Sequence, residues 1–409
     1  MNHAINSNTR KLPKADSKIS FVQLMSLLAF SALFSLTVPL YNTTSAEFNM
    51  SRFVTFGIST LLIFSCYIPL MFAQRSVGEQ NLFKAKSSKL FLKVLKWFLG
   101  CIIILRMLYI VLYTSLQLNE FISQTILAYL TPIFFVLVTF SVIWYGSIKG
   151  IQATARIAGF ALIMFLTVIL LSPLMVLQKL EFVRLYSPFA SFGEMSGESI
   201  FMTIFNDIIR CDELFFFAAL AGFVRSRKNE QTLVTKSQSH KSVLYYLPIV
   251  LLSAFWLNLL YNTVLGRFLS NVIYPLYTIS TFATLNVLER LDGLFVTAAI
   301  IGGVLKVTLA FICIRIVLAE LIHFDMKSHK PFAKITTSIL VVLSAVTTVF
   351  FIGNENLFES MVVKVFLACA LVIIAFILPI TVAILQKTQH NQKKGKSHEN
   401  KTSTKAVLD

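Results

Sequence analysis

About ten long apolar stretches run through this 409-residue chain, and they constrain its fold more than any other feature. A helix needs about 20 apolar residues to cross the hydrocarbon core of a bilayer. Charged residues make up 13% of the sequence, whereas an average soluble domain carries about 25%. The sequence therefore predicts an all-α polytopic membrane protein with about ten transmembrane helices and no large soluble domain.

The apolar stretches divide the chain into a basic N-terminus (1–18), a transmembrane domain (19–385) and a basic tail (386–409). The tail is rich in Lys, Asn, Gln, Ser and Thr, which is typical of a disordered segment. The segment 271–292 favours a short interfacial or re-entrant helix before the eighth span. We expect the spans at about 19–40, 53–73, 90–116, 122–145, 157–178, 199–224, 243–265, 293–320, 334–352 and 358–385.

The positive charges predict the orientation of these spans. With the N-terminus inside, the inner segments hold 26 Lys and Arg residues, and the outer loops hold five. Because Lys and Arg collect in cytoplasmic loops, we predict that both termini are cytoplasmic. The net charge of +17 has the same origin. No basic patch sits on a soluble module, so we expect membrane lipid, and no nucleic acid, around this chain.

The cysteines and histidines do not indicate a metal or a catalytic site. All five cysteines lie in apolar stretches without C-x-x-C spacing, which is typical of small buried residues. All six histidines fall in segments that the charge bias places inside. We therefore expect no cofactor, no metal and no enzymatic activity. A membrane enzyme is the alternative, but the short outer loops do not favour it.

A run of ionisable residues interrupts the sixth span. Charges within a bilayer are costly, so they normally face a cavity or pair with one another. Two interpretations remain open: a broken or cavity-lining helix, and a buried structural ion-pair cluster. The run reads Phe205, Asn206, Asp207, Ile208, Ile209, Arg210, Cys211, Asp212 and Glu213.

Two further buried cations are predicted, Arg106 in span three and Lys306 in span eight. Arg106 could meet the carboxylates of span six, either at a ligand site or as a structural pair. Lys306 follows a Gly-Gly pair that would allow another helix to approach closely. Its ammonium could replace a bound cation or carry a proton, or it could pair with Asp207 or Glu213 for packing.

Before the eighth span the chain carries an aromatic-Pro-x-aromatic element at Tyr274, Pro275 and Tyr277, and then a Leu-Glu-Arg-Leu-Asp element that ends at Asp292. In these elements the sequence resembles the B subunits of spore germinant receptors. In that family an aromatic-Pro-x-aromatic element precedes a short helix, and a Leu-Glu-Arg-(Leu/Phe)-(Asp/Glu) element follows. The next span often carries a Lys, as Lys306 does here. In length, span count and landmarks the resemblance covers about residues 18–385. The matching motif residues are Tyr274, Pro275, Tyr277, Leu288, Glu289, Arg290 and Asp292.

This family belongs to the amino acid–polyamine–organocation transporter superfamily. The resemblance therefore implies a permease-like domain with a LeuT-like five-plus-five inverted repeat, at about 19–178 and 199–385. In such folds spans one and six unwind near the midplane and cradle the ligand. By this resemblance the ligand-binding residues are Ser31, Ser35, Arg106, Phe205, Asn206, Asp207 and Arg210, and Lys306 and Glu213 are ion-surrogate or coupling residues.

Span one departs from the family pattern, because no Gly occurs between Phe30 and Pro39. Phe34 would fill part of the usual ligand space. Ser31 and Ser35 could satisfy some of the backbone groups that unwinding frees. A smaller or different ligand, or a diverged subunit, would follow from this departure.

The resemblance implies a ligand-sensing subunit of a germinant receptor. An amino-acid-like nutrient would bind between spans one, three, six and eight and trigger germination through partner subunits. The implied partners are an A-type membrane subunit with a soluble domain and a C-type lipoprotein on the outer face. The implied location is the cell membrane or the spore inner membrane. A proton-coupled amino acid transporter is the alternative.

Overall fold

The computed structural model describes residues 18–38, 51–77, 90–125, 131–176, 197–225, 227–228, 235–236, 238–265, 268–269, 272–282, 292–322, 330–354, 357–358 and 360–384. The predicted terminal segments therefore lie outside the described residues, except for Lys18. The motif residues Leu288, Glu289 and Arg290 lie outside them as well.

Nearly all of the described chain is helical. A 3₁₀ turn (Ala221–Phe223) and a small antiparallel ribbon of β1 (Arg227–Lys228) and β2 (Thr235–Lys236) follow the helix Glu213–Leu220. A π-helical turn (Ile373–Ile377) extends the last described helix to Ile384. The α-helices in this part are α1 (Phe21–Thr37), α2 (Ser51–Val77), α3 (Leu90–Thr125), α4 (Pro132–Lys149), α5 (Ile151–Met175), α6 (Gly197–Ile209), α7 (Glu213–Leu220), α8 (Ser239–Val264), α9 (Pro275–Phe282), α10 (Asp292–Leu321), α11 (Lys330–Phe351) and α12 (Met361–Val372).

The predicted class, an all-α polytopic membrane protein, is confirmed. Among the described residues, eight helices are long and apolar enough to cross a bilayer: α2, α3, α4, α5, α8, α10, α11 and the extended α12. The apolar α1 has 17 residues, or about 25 Å at 1.5 Å per residue. The sixth predicted span is divided between α6 and α7. The total of ten crossings and the inverted repeat stay predictions.

The boundary between the third and fourth predicted spans was wrong by several residues. We expected α3 to end near 116, where polar residues begin, but it continues to Thr125. Gln117 and Asn119 are buried there, and the Gln117 side-chain amide donates to the Val38 carbonyl. Hydrogen bonding and burial of these polar side chains therefore stabilise the last turns of α3 inside the protein. α4 then begins at Pro132, since Pro suits the first position of a helix.

The implied unwinding of span one is also wrong over the described residues. α1 is continuous from Phe21 to Thr37. Ser35 Oγ donates to the Ser31 carbonyl at 3.2 Å, one turn back along an intact helix. The absence of Gly explains this result, because a break needs backbone freedom that the bulky residues of this stretch lack.

α10 lies at the centre of the fold. Most of its residues are buried, and it packs against α3, α5, α4 and α1. A Cβ atom at Gly303 would lie 2.9 Å from Leu118 Cδ2 and 3.2 Å from Phe34 Cε2. Adjacent Gly302 is equally close to Phe34 and Phe165. The Gly-Gly pair thus brings the side chains of Phe34 on α1 and Leu118 on α3 against the backbone of α10.

The start of α1 is held by the end of the sixth span. Ile19 N–H donates to the Phe223 carbonyl, and Arg225 N–H donates to the Ile19 carbonyl, both at 2.9 Å. Ser20 Oγ then caps α1 by accepting from Gln23 N–H at 3.1 Å. These bonds fix the start of α1 beside the end of the sixth span. The polar side chains of α1 and α7 therefore lie close together.

Candidate ligand site at the break in the sixth span

The sixth span breaks where the sequence is most polar. α6 ends at Ile209 and α7 begins at Glu213, so three residues between them are not helical. Cys211 N–H donates to the Ile208 carbonyl at 3.1 Å, and Asp212 N–H donates to the Arg210 carbonyl at 2.8 Å. The predicted interruption of this span is present, and it turns Asp212 towards α3 and α10.

The Asp212 carboxylate bridges the two cations from other helices. Its Oδ1 lies 2.8 Å from Arg106 Nη2, and its Oδ2 lies 2.7 Å from Lys306 Nζ. All three side chains are buried. Arg106 Nη2 also donates to the Ile209 carbonyl at 2.6 Å, which satisfies the last carbonyl of α6. Arg106 thus stabilises the break itself as well as its charge.

Two serines of α1 contact the same cluster. Lys306 Nζ donates to Ser35 Oγ at 2.5 Å. Ser31 Oγ donates to Glu213 Oε1 at 2.8 Å. The carboxylate within the break and the one directly after it are therefore both linked to α1, Asp212 through Lys306 and Glu213 directly. We call Ser31, Ser35, Arg106, Asp212, Glu213 and Lys306 the ion cluster.

Two of the guanidinium nitrogens of Arg106 make no hydrogen bond within the described part of the chain. Its guanidinium carbon lies 5.0 Å from the Tyr109 ring centroid and 5.3 Å from that of Phe215. Among the described residues, its Nε and Nη1 atoms have no hydrogen-bond partner although they are buried. A buried donor without an acceptor is unfavourable, so an acceptor from outside this part of the chain would be stabilised there.

A small cavity adjoins these free donors. Its volume is about 30 Å³, which is enough for water but not for a nutrient molecule. The ion cluster forms one wall and aromatic residues of α3 form another. The lining residues are Ser35, Arg106, Tyr109, Tyr113, Gln117, Arg210 and Asp212.

The remaining predicted site residues of α6 have contacts on other sides. Asp207 Oδ2 accepts from Ser59 Oγ of α2 at 3.2 Å. The Phe205 ring stacks on Phe201, with centroids 6.1 Å apart. The Asn206 carbonyl accepts from Arg210 N–H at 3.3 Å. The structure thus brings Ser31, Ser35, Arg106, Glu213 and Lys306 together, whereas Asp207 faces α2.

Sequence reasoning missed the central carboxylate of the ion cluster. Asp207 or Glu213 was the expected partner of Lys306, but the salt bridge is to Asp212. Helical spacing could not identify which of the four ionisable residues of span six faces Lys306, because the helical periodicity stops at the break. The cavity residues Tyr109, Tyr113 and Gln117 were also missed. A polar or Tyr residue every four positions along span three was the available signal.

Comparison with the sequence models of protein families identifies the family of this chain. Residues 18–358 match the sequence model of the family described as spore germination protein. This chain belongs to the spore germination protein family. The resemblance found in the sequence is thereby confirmed at family level. No curated protein matches the sequence of this family member.

Solved structures with a similar fold are transporters. Crystal structures of three mutants of the Eremococcus coleocola manganese transporter each match with a TM-score of 0.54 and 13% identity. Each alignment covers 92% of this chain and 80% of the transporter. At this identity the match establishes the fold alone. The spore germination family member thus has a LeuT-like transporter fold in a membrane.

The aromatic-Pro-x-aromatic motif of this family member packs against the end of α3. Pro275 begins α9, and Tyr274 and Tyr277 flank it. The Phe121 ring of α3 contacts both tyrosine rings edge-on, at 5.0 and 6.2 Å between centroids. Tyr277 Oη donates to the Thr125 carbonyl at 3.3 Å. The motif therefore positions the end of α3, the helix that carries Arg106.

The residues described for this family member offer no metal site. Within those ranges, no group of three or more His, Cys, Asp and Glu side chains is placed to hold a metal ion. The cations Arg106 and Lys306 occupy the break instead. At the start of α10, Asp292 Oδ1 accepts from Gly293 N–H at 3.0 Å, a local helix-end contact.

Proposed function

We propose that this chain is the ligand-sensing membrane subunit of a spore germinant receptor, and that it binds a small nutrient at the ion cluster. The family and the transporter-like fold support a membrane permease or receptor. The observation that carries the proposal is the broken sixth span, where its own Asp212 and Glu213 are buried together with Arg106 of α3 and Lys306 of α10. Charged groups in the membrane interior normally mark a binding site or pathway, and broken helices mark it in transporters.

The size of the cavity supports sensing through a change of conformation. About 30 Å³ cannot hold a nutrient molecule, so the unliganded protein must open before it binds. A ligand shifts such an equilibrium only by binding one state more tightly. Since Asp212 links α3, α10 and the break, a ligand that enters here separates contacts between helices. That movement is what partner subunits would detect.

The predicted ligand residues are part of this proposal. Ser35, Arg106 and Arg210 line the cavity, and Ser31 lies one turn from Ser35. Phe205, Asn206 and Asp207 lie on α6 just before the break, and they would contact a ligand after opening. Lys306 and Glu213 would couple ligand binding to the position of α1, because each bonds to a serine of that helix.

Membership of the family supports a proposal for the partners and the location. We propose an A-type membrane subunit and a C-type lipoprotein as partners, with both termini of this chain in the cytoplasm and the complex in the spore inner membrane. A receptor subunit depends on its partners for a response. Co-purification of the tagged chain from spores, with the two partner types in fixed ratio, tests this arrangement.

Transport is the second candidate, because the fold is that of solved transporters. Proton-coupled uptake of amino acids would use the same ion cluster. Manganese, the cargo named for those structures, is disfavoured here because Arg106 and Lys306 already occupy both oxygens of the Asp212 carboxylate.

Proteoliposomes distinguish the two functions. The chain is reconstituted alone and in complex with its partners, and both preparations are tested for binding and uptake of labelled amino acids, sugars and nucleosides. A sensor binds one of these probes in the complex without uptake. Uptake by the chain alone establishes a transporter, and no binding by either preparation contradicts a ligand site.

A further inference from the structure

A second concave site lies on the membrane surface of the protein, in a groove between α4 and α11. Its volume is about 570 Å³, within the range of about 300–1,000 Å³ that is usual for small-molecule sites. Buried Val136, Phe140 and Val341 form its floor, and exposed Leu137 and Val346 lie at its edges. We call it the α4–α11 groove. It shares no residue with the ion cluster.

The groove exists because α11 presents short side chains on this face. Its lining residues on α11 recur every three or four positions, which places them on one side of the helix. Longer side chains such as Ile339, Leu343 and Phe350 occupy other positions of α11 and are exposed. The lining residues of α11 are Ser338, Val341, Val342, Ala345, Val346 and Val349.

The length of the groove matches one leaflet of a bilayer. It extends along α11 over positions 338–349, which is about 16 Å at 1.5 Å per residue. The hydrocarbon core of a bilayer is about 30 Å thick. A groove of this length accommodates an acyl chain of one leaflet, whereas a partner helix that crosses the membrane would need a face along the whole core.

The groove ends at a polar contact between its two helices. Trp144 Nε1 of α4 donates to Ser338 Oγ of α11 at 2.8 Å, and Ser338 Oγ donates to the Lys334 carbonyl at 2.9 Å. Trp is enriched where the hydrocarbon core meets the headgroups, so this contact marks the headgroup level. In the predicted orientation this end of the groove faces the cytoplasm.

Two exposed lysines lie just beyond this end. Lys149 follows Trp144 by five residues on α4, and Lys334 precedes Ser338 by four residues on α11. Lys149 Nζ lies 5.1 Å from the Tyr145 ring centroid. The sequences of α4 and α11 contain three lysines and no Asp or Glu. This end of the groove is therefore basic, and basic sites between membrane helices on the cytoplasmic side bind acidic lipid headgroups.

We propose that the α4–α11 groove is a binding site for one acidic phospholipid. One acyl chain lies in the groove, Trp144 contacts the start of that chain, and the phosphate lies between Lys149 and Lys334. The apolar floor supplies contact area and the lysines supply the selection for negative charge. This inference goes beyond the proposed function and does not depend on it.

Brominated lipids test this site, because bromine on an acyl chain quenches the fluorescence of a tryptophan that it contacts. The full-length chain is reconstituted in phosphatidylcholine bilayers with increasing fractions of dibrominated phosphatidylglycerol, or of dibrominated phosphatidylcholine. Trp144→Phe is measured in parallel, so that the signal of Trp144 is obtained by difference from that of Trp97 and Trp256.

Two pairs of variants assign the parts of the site. The double variant Lys149→Gln/Lys334→Gln removes the basic end, and Lys241→Gln, at an exposed lysine in the first turn of α8, is its matched control. Ala345→Phe fills the groove, and Leu343→Phe, at an exposed position of α11 outside the groove, is its control.

The expected result is a preference for the acidic lipid that requires the two lysines. Each lysine near a membrane surface strengthens the attraction to acidic lipid by about fivefold. In wild type and Lys241→Gln, phosphatidylglycerol should therefore half-quench Trp144 at a mole fraction about tenfold or more below that of phosphatidylcholine. The double lysine variant should lose this preference. Ala345→Phe should reduce quenching by both lipids, and Leu343→Phe should not.

Three results would overturn the lipid site. Equal quenching of wild type by the two lipids means ordinary contact with the surrounding bilayer. A preference that survives in the double lysine variant means that Lys149 and Lys334 do not bind the headgroup. Absence of Trp144 quenching by either lipid means that protein covers the groove. The lysine variants change exposed side chains only, so they decide the matter even if Ala345→Phe does not fold.

Discussion

Lys306 Nζ on α10 lies 2.7 Å from Asp212 Oδ2, in the three-residue break between α6 and α7. Arg106 on α3 holds the other oxygen of the same carboxylate at 2.8 Å. One side chain thus joins three parts of the chain that are far apart in sequence. The break is stable because these contacts satisfy its charge and its free carbonyl. The same contacts are what a ligand would have to exchange.

The Asp212 carboxylate should therefore contribute strongly to stability. Asp212→Asn removes the carboxylate that forms salt bridges to both buried cations, and removal of one member of a buried ion pair costs about 3–5 kcal/mol. Asp207→Asn is the matched control, because Asp207 is only half-buried and Asn can still accept the hydrogen bond from Ser59. Thermal unfolding of both variants in detergent measures the difference. Equal shifts would contradict a central role for Asp212.

The contact of α1 with α10 depends on Gly303. In Gly303→Ala the new methyl would lie 2.9 Å from Leu118 Cδ2 and 3.2 Å from Phe34 Cε2, and overpacking of this kind costs about 1–3 kcal/mol. Gly57→Ala on α2 is the control, since no described atom lies within 4 Å of its new methyl. That change should be neutral or stabilise by about 1 kcal/mol, as Ala favours a helix over Gly. A stable Gly303→Ala protein would show that the helices are less closely packed.

The Tyr274 ring, and not its hydroxyl, should be what the family motif requires. Its hydroxyl is buried without a hydrogen-bond partner among the described residues, and its ring contacts Phe121 edge-on. Tyr274→Phe should keep or slightly raise the free energy of unfolding, whereas Tyr274→Ala should lower it by about 3–5 kcal/mol. Denaturation of both variants beside wild type decides this. A large loss in Tyr274→Phe would assign a role to the hydroxyl.

The start of α1 should depend on the backbone bonds of Ile19. Ile19→Pro removes the N–H that donates to the carbonyl of half-buried Phe223, and loss of such a hydrogen bond costs about 0.5–1.5 kcal/mol. Val22→Pro places the same residue in the first turn of α1, where Pro is tolerated. Limited proteolysis near the N-terminus should be faster in Ile19→Pro than in Val22→Pro. Equal rates would mean that the bonds to Phe223 and Arg225 do not hold α1.

The membrane class of the protein was predictable because long apolar stretches have a direct physical cause. Stretches of about 20 apolar residues have few alternatives to a membrane helix, and polar residues in span six have few alternatives to an interior site. The break between Ile209 and Glu213 followed from that polarity. Local composition was enough for these features because each depends on a single segment.

The pairing within the site was not predictable, because it depends on several segments at once. Asp212 meets Lys306 only after the break has turned it away from the face of Asp207. In the sequence the polar end of α3 resembled a loop, because its hydrogen-bond acceptor, the Val38 carbonyl, lies at the end of α1. The family resemblance implied that span one unwinds. α1 is nevertheless continuous, because this stretch has no Gly at which the helix could break.

Ligand protection of a cysteine at position 35 tests the central claim most directly. Ser35 lines the cavity and bonds to Lys306, so Ser35→Cys is introduced where the five native cysteines are replaced by Ala. Gln124→Cys, on the exposed end of α3, is the control. The rate of modification by a small maleimide is measured on the assembled complex with amino acids, sugars and nucleosides added one at a time. We predict that one of them slows modification at position 35 several-fold and leaves position 124 unchanged, whereas equal rates with every probe would contradict a ligand site at the break.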